Sequence, residues 1–96
     1  MPSVYYSQRA LDDLERVLEF LVREAPATAT EAASEIVDAT RVLQRHPLIG
    51  RPVVTLRELV ISKGRTGYVA LYRYLPEQDR VDILALRHQR ESGLAE

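Results

Sequence analysis

The sequence predicts an α+β domain in which a helical hairpin covers one face of an antiparallel β-sheet. Apolar residues recur at three- and four-residue spacing through the first half of the chain, which is the period of an amphipathic helix. From residue 56 onward, short apolar segments alternate with polar, glycine- or proline-containing turns, as in consecutive strands. A chain of 96 residues has the length of one domain. We therefore expect a single domain over residues 1–96 with the element order β-α-α-β-β-β.

The N-terminal segment predicts a short strand followed by the first helix. Val4-Tyr5-Tyr6 is prone to β-structure, and Ser7 can cap a helix by accepting a backbone N–H. The periodic segment that follows predicts a helix of about 18 residues. It ends before Pro26, since a residue that precedes proline avoids the helical conformation. Its expected apolar face consists of Leu11, Leu14, Leu18 and Leu21, with Ala10 and Val17 beside them.

A second helix is expected to begin near Thr28, which stands three residues before Glu31 as in a capping box. His46-Pro47 ends it, and Gly50-Arg51-Pro52 reads as an extended connector. A short link between two helices predicts an antiparallel hairpin. The apolar stripe of this helix comprises Ala29, Ala33, Ile36, Thr40 and Leu43. We expect four side chains of the hairpin to be buried against the sheet: Leu14, Leu18, Ile36 and Leu43.

Three strands are expected in the second half of the chain. They cover residues 56–61, 68–75 and 81–86, with turns at 62–67 and 76–79. Turns this short favour antiparallel pairing of consecutive strands.

Composition excludes several classes of protein and site. Cysteine is absent, and there are only two histidines, so we expect no metal and no cofactor. The N-terminus lacks the apolar core of a signal peptide, and no apolar run is long enough to cross a bilayer. We therefore expect a cytoplasmic protein with no membrane partner.

The net charge of −1 conceals a segregation of charge along the chain. Residues 1–40 carry three basic and eight acidic side chains, which gives 3 − 8 = −5. Residues 41–73 carry seven basic side chains and one acid, which gives 7 − 1 = +6. The middle segment is therefore a candidate surface for nucleic acid or for an acidic protein. The alternative is a set of solvated arginines spread over several faces.

The candidate binding residues are basic and lie on or beside the strands. Basic groups near aromatic rings suit phosphate contacts and base stacking, and three tyrosines share one face of the second strand. Each residue also has a structural interpretation: the tyrosines as core, Arg73 as an ion-pair partner, and His88 as a hydrogen-bonded strand end. The tyrosines are Tyr68, Tyr72 and Tyr74, and the basic candidates are Lys63, Arg65, Arg73, Arg87, Arg90 and His88.

Taken together, these features resemble the RelE/ParE toxin superfamily, also called plasmid stabilisation proteins. The resemblance covers nearly the whole chain and depends on five segments in this order. They are Ala10-x-x-Asp13-Leu14, His46-Pro47-x-x-Gly50-Arg51-Pro52, Arg57-Glu58-Leu59, Gly67-Tyr68-Val69-Ala70-Leu71-Tyr72-Arg73 and Leu86-Arg87-His88-Gln89-Arg90-Glu91.

The resemblance implies one of two activities. RelE-like members cut messenger RNA on the ribosome with basic side chains and often a C-terminal tyrosine, whereas ParE-like members poison DNA gyrase without being nucleases. The two lysine positions of the nuclease pattern align with Val60 and Ser62, and its first arginine aligns with Val69. Only its last arginine is matched, as Arg90, and the C-terminal tyrosine is missing. The ParE-like branch is therefore favoured, with Arg90 and His88 as catalytic residues only if the protein is a nuclease.

The resemblance also implies the partners. A cognate antitoxin neutralises the toxin, whose target is DNA gyrase, or alternatively the ribosome and its mRNA. Operator DNA would be contacted only indirectly, through the antitoxin. A third reading is a degenerate toxin that only binds its antitoxin. We expect an acidic, amphipathic antitoxin segment to fold into an apolar groove with a basic margin.

Overall fold

The computed structural model describes residues 1–61 and 67–88, and over these residues two helices pack on a five-stranded sheet. The α+β class predicted from the sequence is confirmed. Short 3-10 turns at Val42–Gln44 and Pro76–Gln78 follow the second helix and the fourth strand. The elements in chain order are β1 (Ser3–Tyr6), α1 (Gln8–Glu24), α2 (Pro26–Arg41), β2 (Arg51–Val53), β3 (Leu56–Val60), β4 (Tyr68–Leu75) and β5 (Arg80–His88).

The strand order is β1-β5-β4-β3-β2. The pairs β3–β4 and β4–β5 are antiparallel, as predicted, and β2 also pairs antiparallel with β3. The sheet is nevertheless mixed, because β1 pairs in parallel with β5. β2 is also an additional strand within the segment predicted to be an extended connector. The helical hairpin carries the chain from β1 over the sheet, so that the last strand returns beside the first.

Helix α1 begins where the sequence predicts, since Ser7 Oγ accepts a hydrogen bond from Ala10 N at 3.0 Å. Its buried residues are Ala10, Asp13, Val17 and Leu21, so part of the predicted apolar face is buried together with an aspartate that was not expected there. Leu14 and Leu18 are only half-buried. The prediction that these two leucines are buried against the sheet is therefore wrong. The helix is rotated so that Asp13 faces strand β5, which moves the leucines toward solvent.

Helix α2 begins two residues before the predicted capping box. Pro26 occupies its first turn, a position that proline fits well, and the preceding Ala25 makes no side-chain capping bond. Thr28 Oγ1 instead donates to Ala25 O at 3.1 Å, so the capping-box prediction is wrong. The predicted burial of Ile36 and Leu43 is confirmed, because both are fully buried.

The loop between α2 and β2 is fixed to β4 by one tyrosine. The hydroxyl of Tyr72 donates to Pro47 O and accepts from Gly50 N, both at 2.8 Å. A Cβ atom at Gly50 would lie 2.6 Å from Cε1 and from the hydroxyl oxygen of Tyr72. Only glycine therefore lets the backbone approach the ring this closely.

None of the helices in residues 1–61 and 67–88 is long and apolar enough to cross a membrane.

Candidate functional site

Side chains at the start of α1 complete the backbone hydrogen bonding along one edge of β5. β1 pairs with β5 only from Arg80 to Ile83. Beyond that point Ser7 Oγ donates to Leu84 O at 3.2 Å, and Asp13 Oδ2 accepts from Leu86 N at 3.0 Å. Two side chains at the start of α1 thus replace the missing strand, because a buried backbone N–H needs a partner.

Arginines surround the buried carboxylate of Asp13. Arg16 Nη1 lies 3.1 Å from Asp13 Oδ1, and Arg9 Nε lies 3.9 Å from Oδ2. Arg87, one of the predicted binding residues, lines the same small cavity. Its side chain has no hydrogen bond or ion pair with the described part of the chain. Three guanidinium groups against one carboxylate give 3 − 1 = +2, so this cavity is cationic.

Arg73 has a structural partner. Its Nε lies 3.2 Å from Asp82 Oδ2 on the neighbouring strand, and Arg80 Nε lies 3.0 Å from Asp82 Oδ1. The interpretation of Arg73 as an ion-pair residue is thus supported by the geometry. Arg73 pairs in register with Asp82, and Arg87 lies five residues farther along β5. Five residues of strand span roughly 16 Å, so these two predicted binding residues do not share one site.

The tyrosines of β4 belong mainly to the core. Tyr68 is buried and packs edge-to-face on His88, with ring centroids 5.4 Å apart and planes at 87°. Tyr72 is fully buried, and Tyr74 packs partly buried against the same core. Burial raises the pKa of Tyr68, and the nearby Glu35 charge raises it further. Burial also raises the pKa of Tyr72, although the Gly50 hydrogen bond and the Arg57 charge oppose that effect.

An apolar groove lies between the loop after α2 and the end of β4. We call it the arginine groove, because Arg57 and Arg73 stand in its wall. Arg57 is held there by donating to Leu48 O at 3.0 Å and Gly50 O at 2.7 Å. At the edge of the arginine groove lies Val54, which is 96% exposed and has a φ of 57°. The remaining lining residues are Leu48, Pro52, Thr55, Leu56, Tyr74 and Pro76.

A second apolar surface runs along the outer face of α1. We call it the leucine stripe, and it consists of Leu11, Leu14, Leu18 and Val22. Leu11 is 46% exposed and Val22 is 60% exposed. The sequence predicts burial for two of these residues, Leu14 and Leu18, since apolar periodicity alone does not say which part of a wide apolar face is covered. The residues that border the stripe are Gln8, Asp12, Glu15, Glu19 and Arg23.

Three predicted site residues, Lys63, Arg65 and Arg90, lie outside the described residues. Their proposed roles stay predictions. Among residues 1–61 and 67–88, no group of three or more histidine, aspartate or glutamate side chains is arranged to hold a metal ion.

Sequence comparison identifies a family and a relative of this chain. Residues 4–93 match the sequence profile of the ParE toxin of the type II toxin–antitoxin system parDE. The chain is 37% identical to Toxin RelE3 of Caulobacter vibrioides over 92 residues, which is 95% of this chain and 98% of that protein.

Two solved structures have a similar fold. The chromosomal ParDE system of P. aeruginosa matches with a TM-score of 0.75 and 26% identity, over 92% of this chain and 96% of that chain. The toxin–antitoxin complex RelBE2 of Mycobacterium tuberculosis matches with a TM-score of 0.61 and 24% identity, over 91% of this chain and 90% of that chain. The second likeness concerns the fold alone.

Proposed function

This chain belongs to the ParE toxin family of type II toxin–antitoxin systems, and we propose that it inhibits DNA gyrase by protein–protein contact and is neutralised by a cognate antitoxin. The toxin assignment follows from the family match over residues 4–93 and from the 37% identity to Toxin RelE3. The choice of gyrase as the target is the proposal.

One observation carries the choice of target. Three cationic or aromatic side chains of β3 and β4 are used by the fold. Arg57 holds two backbone carbonyls, Arg73 pairs with Asp82, and Tyr72 is fully buried. Cleavage of a phosphodiester needs several preorganised cations aimed at the scissile group. Side chains committed to structural partners are more compatible with a toxin that acts by contact.

A second candidate function is a ribosome-dependent mRNA endoribonuclease. It is favoured by the name of the relative, Toxin RelE3, at 37% identity. In that case Arg90 and His88 would be the catalytic residues, and a related site would use Lys63, Arg65 and Arg73 with His88. Removal of a single group that stabilises transition-state charge typically slows a reaction ~100-fold or more.

Two assays on the purified chain separate these candidates. We expect inhibition of gyrase supercoiling, and we expect no codon-positioned cleavage of mRNA on programmed ribosomes. Arg90→Lys should inhibit gyrase better than Arg90→Ala, because only a charged contact is at stake. Cleavage by the wild type that is lost in a folded Arg90→Ala variant would move the protein to the nuclease branch. Activity in neither assay would indicate a degenerate toxin that only binds its antitoxin.

The arginine groove supports the antitoxin part of the proposal. It has the apolar lining and basic wall that suit an acidic, amphipathic segment which folds as it binds. Such an antitoxin should co-purify with the chain and restore growth. Leu48→Glu, in a residue 58% exposed in this groove, should weaken the complex without lowering the melting temperature. Complex formation of normal strength in that variant would place the antitoxin elsewhere.

A further inference from the structure

Helix α1 presents more apolar surface to solvent than the fold requires. Its buried side already contributes Ala10, Val17 and Leu21 to the core. The leucine stripe lies beside that side, with Leu11 and Val22 close to or above half exposure. Apolar residues aligned on one exposed helix face typically mark an interaction surface.

The border of the leucine stripe is acidic. Asp12, Glu15 and Glu19 line it, with Arg23 at its far end, so the charge of this border is 1 − 3 = −2. The arginine groove has the opposite sign, since Arg57 and Arg73 are its charged residues. The molecule therefore carries two apolar surfaces with borders of opposite charge, and a partner complementary in charge to one of them is not complementary to the other.

We propose that the leucine stripe is the surface that contacts the target, and that its occupant is a cationic, DNA-handling surface of gyrase. This inference rests on the proposed function. A protein that handles DNA must present lysines and arginines to the phosphate backbone. Such a surface is attracted by Asp12, Glu15 and Glu19, while the leucines supply the apolar contact area. The toxin thus meets its target on a surface that normally faces DNA.

Two other occupants fit less well. A second copy of the chain would bring a border with the same net charge of −2 against this one across a two-fold axis, which opposes their association. An acidic antitoxin segment would be repelled by the same residues and is attracted by the arginine groove instead. The target and the antitoxin are therefore assigned to separate surfaces.

The first test changes the apolar residues. Leu11→Glu and Val22→Glu should each raise the concentration needed for half-maximal inhibition of gyrase supercoiling about tenfold, as expected when an interface anchor is lost. The matched control is Phe20→Glu, because Phe20 is 49% exposed on the same helix but does not line the stripe. Melting temperatures of all three variants should stay near that of wild type.

The second test changes the charges. Glu15→Lys and Glu19→Lys should weaken inhibition, and the wild-type effect should fall as salt rises. Glu77→Lys makes the same change of charge at an exposed position in the turn after β4 and should leave inhibition unaltered.

The outcomes distinguish the inference from the function beneath it. If wild type fails to inhibit gyrase, the proposed function falls and this inference falls with it. If wild type inhibits gyrase and the folded Leu11→Glu and Val22→Glu variants inhibit equally well, the inference alone is overturned. Loss of antitoxin binding in those variants, with gyrase inhibition intact, would assign the stripe to the antitoxin and overturn it in the same way.

Discussion

Asp13 in the first helix and Leu86 in the last strand are joined by a hydrogen bond of 3.0 Å between a carboxylate oxygen and a backbone N–H. Asp13 is only 5% exposed, and its second oxygen is paired with Arg16 at 3.1 Å. The bond lies beyond the end of β1, where β5 has no neighbouring strand on that side.

Replacement of this carboxylate should destabilise the fold. Asp13→Ala leaves the buried Leu86 N–H without a partner, which typically costs about 1–3 kcal/mol. Asp13→Asn keeps an acceptor oxygen and should lose less. Urea unfolding gives both values, and Asp12→Ala on the exposed side of the helix is the matched control. Equal stability of Asp13→Ala and Asp12→Ala would show that water replaces the carboxylate at Leu86.

A methyl group at Gly50 should also destabilise the fold. The ring of Tyr72 is fully buried and cannot move aside, and it would lie 2.6 Å from the new Cβ atom. Crowding of this kind in a packed core typically costs about 1–3 kcal/mol. Thermal unfolding of Gly50→Ala against Ser34→Ala, a change at an exposed site on α2, measures the effect. A melting temperature unchanged by Gly50→Ala would mean that the loop can withdraw from the ring.

The two helices should respond differently to loss of a large apolar side chain. Ile36 is fully buried, so Ile36→Ala should cost ~2–5 kcal/mol. Leu18 is half-buried at the margin of α1, so Leu18→Ala should cost about 1 kcal/mol through its partial burial. Denaturant unfolding of both variants checks the contrast. If Leu18→Ala proved as damaging as Ile36→Ala, the orientation of α1 described above would be incorrect.

Stability should decline in alkaline solution. Burial raises the pKa of Tyr6, Tyr68 and Tyr72 above the ordinary value of 10.0. Below that value the phenols are neutral in both states, and their contribution to stability is fully present. Above it the unfolded chain releases protons that the folded chain retains, so the free energy of unfolding falls as pH rises. Denaturant unfolding at several pH values should show this slope, and Tyr72→Phe should reduce it. A stability independent of pH above that value would contradict the burial of these phenols.

The local parts of the fold were predictable from sequence. Ser7 caps α1 and β4 occupies residues 68–75, both as the sequence predicts. These features could be predicted because caps and strand patterns depend on residues that are near neighbours in sequence. The non-local parts were not. The pairing of β1 with β5 and the rotation of α1 toward Leu86 depend on residues more than seventy positions apart.

The basic character of the candidate site residues could be predicted from sequence, but their positions in the fold could not. Arg73 and Arg87 were both identified as basic candidates, yet one is paired with Asp82 and the other lines a cavity with Arg9, Arg16 and Asp13. Asp13 was missed as a buried residue because a carboxylate between leucines reads as a solvated helix position. The motif Ala10-x-x-Asp13-Leu14 was the available signal, since it places an acid three residues after a small one.

The parallel pairing of β1 with β5 has a consequence for synthesis of the protein. β5 lies between β1 and β4 in the sheet, yet residues 80–88 leave the ribosome after all the elements that they join. Contacts between distant parts of a chain form late and slowly. A nascent chain whose residues 80–88 have not yet left the ribosome therefore lacks β5, the strand that connects α1 to the rest of the sheet. We expect arrested chains that stop before residue 80 to be protease-sensitive and harmless, so toxicity begins only after translation has passed β5.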